Sequence, residues 1–167
     1  MVNEHTRGIG KEHPKSLLIQ SLVAGFFFLI WILDSFIFEF STGLSAFIPL
    51  ILRLVICLTL VIVGCGLIFV TGHILFHKEN ESSKLITTGI FSHVRHPIYL
   101  GALILYLGLI LFSFSLLSLI FWVSIIIAYD RLATFEEKDL ETLFTQEYLA
   151  YKKNVPKWFP RVKKHSK

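Results

Sequence analysis

The chain is predicted to be an all-α integral membrane protein of four transmembrane helices, the last two a tight hairpin, followed by a cytoplasmic amphipathic C-terminal helix. Three observations predict this. First, 54% of the 167 residues are apolar and they come in long blocks, a composition that suits a bilayer rather than a soluble core. Second, lysine and arginine stand almost wholly outside those blocks, so the placement of the net charge of +4 says more than its size. Third, the last apolar block is too long for one span and carries polar punctuation near its middle.

A spanning helix needs roughly 20 apolar residues at about 1.5 Å rise each. Residues 17–38 supply the first span and 47–70 the second. Block 98–129 is short for two spans, but FSFS at 112–115 divides it, predicting legs near 98–112 and 115–129 that thin the bilayer or tilt little. One long tilted helix is the alternative. Arg7, Lys11 and Lys15 precede the first span, Lys78, Lys84 and Arg95 lie between the second and third, and nine lysines and arginines follow the fourth. The turns at 39–46 and 112–115 carry none. The positive-inside rule then puts both termini and loop 71–97 in the cytoplasm, whereas three spans would put the basic tail outside. The first block is long and no small-residue cleavage site follows it, so it reads as a span and not as a cleaved signal.

One domain over 1–167 suits this length. It divides into a tail (1–15, with His5 and His13), a bundle (16–129) with its cytoplasmic loop (71–97), and a cytoplasmic helix and tail (130–167). Asp34 and Arg53 lie at similar depth near the outer ends of spans one and two. They are expected either to pair or to leave Arg53 snorkelling outward. Cys57 and Cys65 read as small buried side chains, eight residues apart on one helix and so not bridged. Gly64, Gly66, Gly101 and Gly108 are expected at close helix contacts or beside a ligand. In 131–154, Leu132, Phe135, Leu140, Leu143, Phe144, Tyr148 and Tyr151 recur at helical spacing. That segment lies on the membrane face or folds back over the bundle. VPKWFP at 155–160 stops it, Trp158 and Phe159 suit the interface, and the tail RVKKHSK favours anionic headgroups.

Chemistry concentrates in RHPIY, 95–99. Pro97 suits the first turn of a helix, where its missing N–H costs nothing. Arg95 and His96 stand just before that end, so helix N-terminus, guanidinium and imidazole form an anion site at the membrane surface. Glu136 and Glu137 lie one turn past the fourth span and supply a cation site at the same level. Both legs of a hairpin reach the cytoplasm side by side, so the two sites face each other across a few ångströms. The plainer readings are lipid anchoring by Arg95 and a solvated acidic helix start. A ligand with a carboxylate and cationic groups fits the pair, S-adenosylmethionine among them; other zwitterions and phospholipid headgroups satisfy the same charge logic. His73 and His77 form HxxxH and His93 and His96 form HxxH. With His5, His13 and His165 in tails, too few histidines remain for a membrane di-iron cluster, and no metal is expected.

TTGIFSHVRHPIYLG (87–101), followed by EEKDL and EYLAYKKNVP, resembles the isoprenylcysteine carboxyl methyltransferase and phospholipid methyltransferase superfamily. The shared pattern is GxY-x3-RHPxYxG, EE-x2-L and EY-x2-Y-x3-VP, and it covers about residues 70–160 in order and spacing. The resemblance implies membrane enzymes that use S-adenosylmethionine and methylate lipophilic acceptors near the cytoplasmic face. It implies a cofactor-binding set of Leu85, Ile86, Phe91, Arg95, His96, Pro97, Tyr99 and Glu136. Phe91 stands where the family often has tyrosine. The catalytic residues expected are Arg131, one residue off the family's substrate-carboxylate arginine, and Glu137, the neighbour of Glu136. The acceptor expected is a carboxylate of isoprenylcysteine type. A phospholipid amine, or a membrane scaffold without cofactor, is the alternative. Methyl transfer to a carboxylate needs alignment and a water-poor site and no general base, whereas an amine must first lose a proton. The partners expected are a lipophilic acceptor from the bilayer and membrane lipids, with no nucleic acid and no obligatory protein partner.

Overall fold

A computed structural model describes residues 14–78 and 85–159. The N-terminal tail with His5 and His13, and the basic run 161–167, lie outside the described residues. The regular structure among those described is helical: α1 (Pro14–Ile32), α2 (Leu50–Lys78), α3 (Pro97–Ser113) and α4 (Leu116–Asn154). Three segments are long and apolar enough to cross a membrane, Leu18–Ile37, Leu50–Phe76 and Leu116–Asn154, and Pro97–Ser113 is a shorter apolar helix.

α1 opens on Pro14 and runs into a π-helical turn, Leu33–Ile37, closed by Phe38 N–H on Leu33 O at 2.9 Å. The wider turn directs Asp34 inward, where it is 2% exposed. The expected Asp34–Arg53 pair does not form. Asp34 takes the backbone N–H of Ser41 at 3.0 Å and the hydroxyls of Ser41 and Ser115. Nor does Arg53 snorkel freely, because its Nη1 donates to Phe112 O at 3.0 Å. Nearby hydroxyls satisfy Asp34 locally, and a carbonyl takes one N–H of Arg53 while its Nε stays buried without a hydrogen bond among the described residues.

α2 continues eight residues past the predicted span, so 71–78 is helix and not loop. No proline intervenes, and Ile74, Leu75 and Phe76 prolong the apolar run through Gly72. α2 packs on α3 through glycines. A Cβ on Gly64 would stand 2.6 Å from Gly101 O, and one on Gly101 2.8 Å from Gly64 O. Close backbone approach of this kind is how helices associate in lipid, where burial of apolar surface drives little. Gly108 also sits in that contact, whereas Gly66 faces open space.

The predicted hairpin forms, and the single long helix of the alternative does not. Ser113 ends α3, Phe114 takes the left-handed conformation (φ 53°) with its N–H on Ile110 O, and Ser115 accepts the Ser118 N–H at 3.0 Å as N-cap of α4. The remaining N–H groups of α4's first turn come to Ser41, Leu116 on its carbonyl (3.4 Å) and Leu117 on its hydroxyl (2.9 Å). The turn after α1 therefore caps α4. Phe27 of α1, Tyr99, Leu103, Tyr106 and Ile110 of α3, and Ile125, Tyr129 and Ala133 of α4 form the core.

α4 departs from expectation. The predicted helix 131–154 is not a separate element, because α4 runs through Asp130 without a break. Nothing in AYDRLA terminates a helix, and its charged side chains reach outward. The interruption falls at Thr145 instead (φ 37°, ψ −107°). A β-branched residue held there costs on the order of 1–3 kcal/mol, so surrounding contacts must over-determine it. Beyond the bend, Tyr148 is buried and Tyr151 donates to Phe91 O at 2.7 Å, closing the segment onto the loop before α3. Arg95 N–H on Pro156 O at 3.1 Å ties the same loop to the chain after α4. Of the predicted apolar stripe, Phe135 and Leu143 face outward.

Candidate functional site

The site lies where the start of α3 meets the polar half of α4, past the apolar stretch 116–129. Pro97 is the first residue of α3 and is fully buried. It sets Arg95 and His96 at the helix mouth, facing Glu136 and Glu137.

His96 joins the two acids. Its Nε2 is 3.1 Å from Glu137 Oε1 and its Nδ1 is 3.7 Å from Glu136 Oε2. Glu137, 3% exposed, also meets Arg95 Nη1 at 3.2 Å and Lys152 Nζ at 3.2 Å. Lys152 bonds Glu141 at 2.6 Å as well. Burial alone pushes the Glu137 carboxyl up. The hydrogen bond from His96, the charges of Arg95 and His96 and the hydrogen bond from Lys152 outweigh it, leaving the carboxyl below its ordinary value of 4.5. Glu136 receives the Tyr99 hydroxyl at 2.6 Å and the Ser16 hydroxyl, and its side chain is 21% exposed.

Beside this cluster is a cavity of about 70 Å³ lined by Leu75, Ile86, Phe91, Arg95, His96, Leu140, Tyr148 and Tyr151. Arg95 Nη1 is held by Glu137, whereas Arg95 Nε is buried and makes no hydrogen bond among the described residues. An unpartnered guanidinium N–H beside a cavity is what an anionic ligand group would meet. The space is smaller than the roughly 300–1,000 Å³ that holds a small-molecule ligand.

Four predicted cofactor residues therefore line one cavity: Ile86, Phe91, Arg95 and His96. Pro97, Tyr99 and Glu136 support or flank it, and Leu85 is half-buried outside its lining. Glu137, expected to be catalytic, sits in the ion-pair cluster. Arg131 is exposed and makes no hydrogen bond or ion pair among the described residues. Sequence reasoning missed Leu75, Leu140, Tyr148, Tyr151 and Lys152 as parts of the site. The EY-x2-Y-x3-VP spacing, which puts Tyr148 and Tyr151 one helical turn apart, was the signal for the tyrosines. Among the described residues, no three His, Cys, Asp or Glu side chains converge as a metal site.

Helices suited to a bilayer, with a carboxylate–cation cluster at the mouth of one of them, define a membrane protein whose polar site lies at a helix end. The phospholipid methyltransferase family matches residues 48–147, and the chain belongs to that family. It is similar to the protein-S-isoprenylcysteine O-methyltransferase of Schizosaccharomyces pombe, 36% identical over 96 residues, covering 54% of this chain and 39% of that protein. The Saccharomyces cerevisiae protein of that name is 33% identical over 93 residues (54% and 38%), and the Homo sapiens one 28% over 93 residues (55% and 33%). The match thus spans about two fifths or less of the length of these relatives. No solved structure matches the chain.

Proposed function

We propose that this protein transfers a methyl group from S-adenosylmethionine to a lipophilic acceptor at the cytoplasmic membrane face, and that the acceptor is a carboxylate of isoprenylcysteine type. The observation that carries the reading is the Arg95 Nε, buried and unpartnered among the described residues beside the cavity, with Glu136 3.7 Å from the His96 imidazole that lines it. Membership of the family and the names of the relatives support it.

The donor set fits the cofactor's charged end. Arg95 holds a carboxylate, Glu136 faces a cationic group, and Ile86, Phe91 and Leu140 offer apolar wall. The cavity must widen to take the remainder. S-adenosylmethionine supplies an electrophilic methyl group on a sulfonium. The chain's part is to align that group with the acceptor and to exclude water while opposite charges cancel. Glu137 is the residue positioned to take a proton from an amine acceptor, but the charges of Arg95 and Lys152 beside it make it a poor base, which favours a carboxylate. A phospholipid amine is the second reading, and the description of the matching family favours it. Arg131, exposed on α4 and uncommitted among the described residues, is proposed as the arginine that meets the acceptor's carboxylate.

The membrane arrangement belongs to the same proposal. α1 to α4 form four spans in one domain, α3 being a short one. Both termini and the chain between α2 and α3 are cytoplasmic, and the polar half of α4 is the amphipathic cytoplasmic helix. The test is S-adenosylmethionine binding to detergent-purified protein beside Glu136→Gln. Micromolar binding that the substitution weakens tenfold, about 1.4 kcal/mol, is expected. A well-folded wild type that does not bind overturns the reading.

A further inference from the structure

α1 reaches the site through two side chains outside the stretch matched by the family. Ser16 is 2% exposed in the first turn of α1. Its hydroxyl donates to Glu136 Oε1 and lies 2.8 Å from the Tyr99 hydroxyl, which donates to the same Oε1 at 2.6 Å. Gln20, one turn on, brings Nε2 to 3.5 Å from Ser16 Oγ and 3.4 Å from Tyr99 Oη.

The protons can be counted. An ionised carboxylate donates none, and each hydroxyl has one. With both hydroxyl protons on Glu136, the Ser16–Tyr99 contact holds no proton, and each hydroxyl oxygen is left to accept. The Gln20 amide carries two N–H groups and reaches both oxygens. Donation therefore runs one way, from Gln20 through the two hydroxyls to Oε1. Glu136 Oε2, 3.7 Å from His96 Nδ1, receives no hydrogen bond among the described residues. One oxygen is anchored and the other keeps its capacity.

We propose that Ser16, oriented by Gln20, is a positioning residue of the cofactor site: it anchors Glu136 Oε1 so that Oε2 is presented to a cationic group of the ligand. This rests on the reading above that Glu136 contacts S-adenosylmethionine. The contribution from α1 joins Ser16 and Gln20, two of the polar residues at the start of this largely apolar helix, in one chain of donation to Glu136. A hydroxyl that merely filled space would leave ligand affinity indifferent to its loss.

The experiment measures S-adenosylmethionine affinity by calorimetry on the full chain in detergent, with size exclusion and thermal midpoint as the check of folding. Ser16→Ala is expected to weaken binding about fivefold, the size of one net hydrogen bond. Ser16→Thr, which keeps the hydroxyl, stays within about twofold. In a Glu136→Gln background Ser16→Ala adds nothing, because the two act as one unit. Unchanged affinity in folded Ser16→Ala, equal loss in Ser16→Thr, or a full additive loss in the double variant overturns the proposal. Should Ser16→Ala not fold, Ser16→Cys keeps the size with a far weaker donor and is expected to weaken binding likewise, and unchanged affinity there overturns the proposal equally. A wild type that binds nothing removes the functional reading and this inference with it. A wild type that binds beside an indifferent Ser16→Ala removes this inference alone.

Discussion

The two ends of the α3–α4 hairpin each bury a carboxylate, and they treat it in opposite ways. At the turn end, Asp34 is surrounded by neutral donors, the Ser41 N–H and the Ser41 and Ser115 hydroxyls. Ser41 and Ser115 in turn receive the free N–H groups at the start of α4. At the open end, Glu137 is surrounded by Arg95, His96 and Lys152, and Arg95 Nε is still buried without a hydrogen-bond partner among the described residues. The first arrangement is closed. It satisfies its members and caps a helix. The second keeps one surplus donor, Arg95 Nε, beside a cavity. Neither burial of a charge nor an unspent donor is enough to mark a functional site, since Arg53 Nε near the turn is also buried without a partner among the described residues; what distinguishes the open end is an unspent donor that lines a cavity.

The largest expected effect comes from Glu137→Gln. It leaves Arg95, Lys152 and His96 without their common acid and is expected to cost about 3–5 kcal/mol, read from thermal unfolding in detergent. Its pH dependence follows from the lowered carboxyl pKa. The unfolded chain binds that proton more tightly than the folded one. The stabilisation is therefore complete above the ordinary value of 4.5 and is lost as pH falls through the lower folded value. Glu137→Gln loses this acid limb; a variant as stable as wild type breaks the account of the open end. Next comes Asp34→Ala, expected to destabilise by about 1–3 kcal/mol through the donors it strands. Affinity for S-adenosylmethionine should not change in that variant, and a tenfold loss would dissolve the distinction between the ends. Smallest is Arg131→Ala, with stability within about 0.5 kcal/mol of wild type. Its signature is a raised KM for a prenylcysteine acceptor at unchanged cofactor affinity. Unchanged acceptor kinetics remove Arg131 from the mechanism.

Much of the open end was legible in the chain because it depends on topology. A hairpin returns its second leg to the level where the first began, so RHP and EE meet although 40 residues separate His96 from Glu136. FSFS and Pro97 marked the turn and the helix start through ordinary capping chemistry. Lys152 was not legible, because it arrives through the bend at Thr145, a residue type that does not announce positive φ. Ser16 was not legible either, since a single hydroxyl where the basic tail meets the first apolar block carries no spacing signal. The Asp34–Arg53 pairing failed because matching charge with charge overlooked serine, which donates as well and sits closer.

The unbroken passage of α4 from the serine layer to the acid layer has a mechanical consequence. Ser115 and Glu137 are 22 residues apart on one rod up to the bend at Thr145. At about 1.5 Å per residue they stand roughly 33 Å apart, close to the roughly 30 Å of a bilayer's hydrocarbon. The molecule thus carries its own calliper. A thinner membrane must tilt the rod, and a thicker one must draw a polar layer into oil. The jaws of that calliper are the helix cap and the acids Glu136 and Glu137, so membrane thickness bears on the acid cluster through a single stiff part.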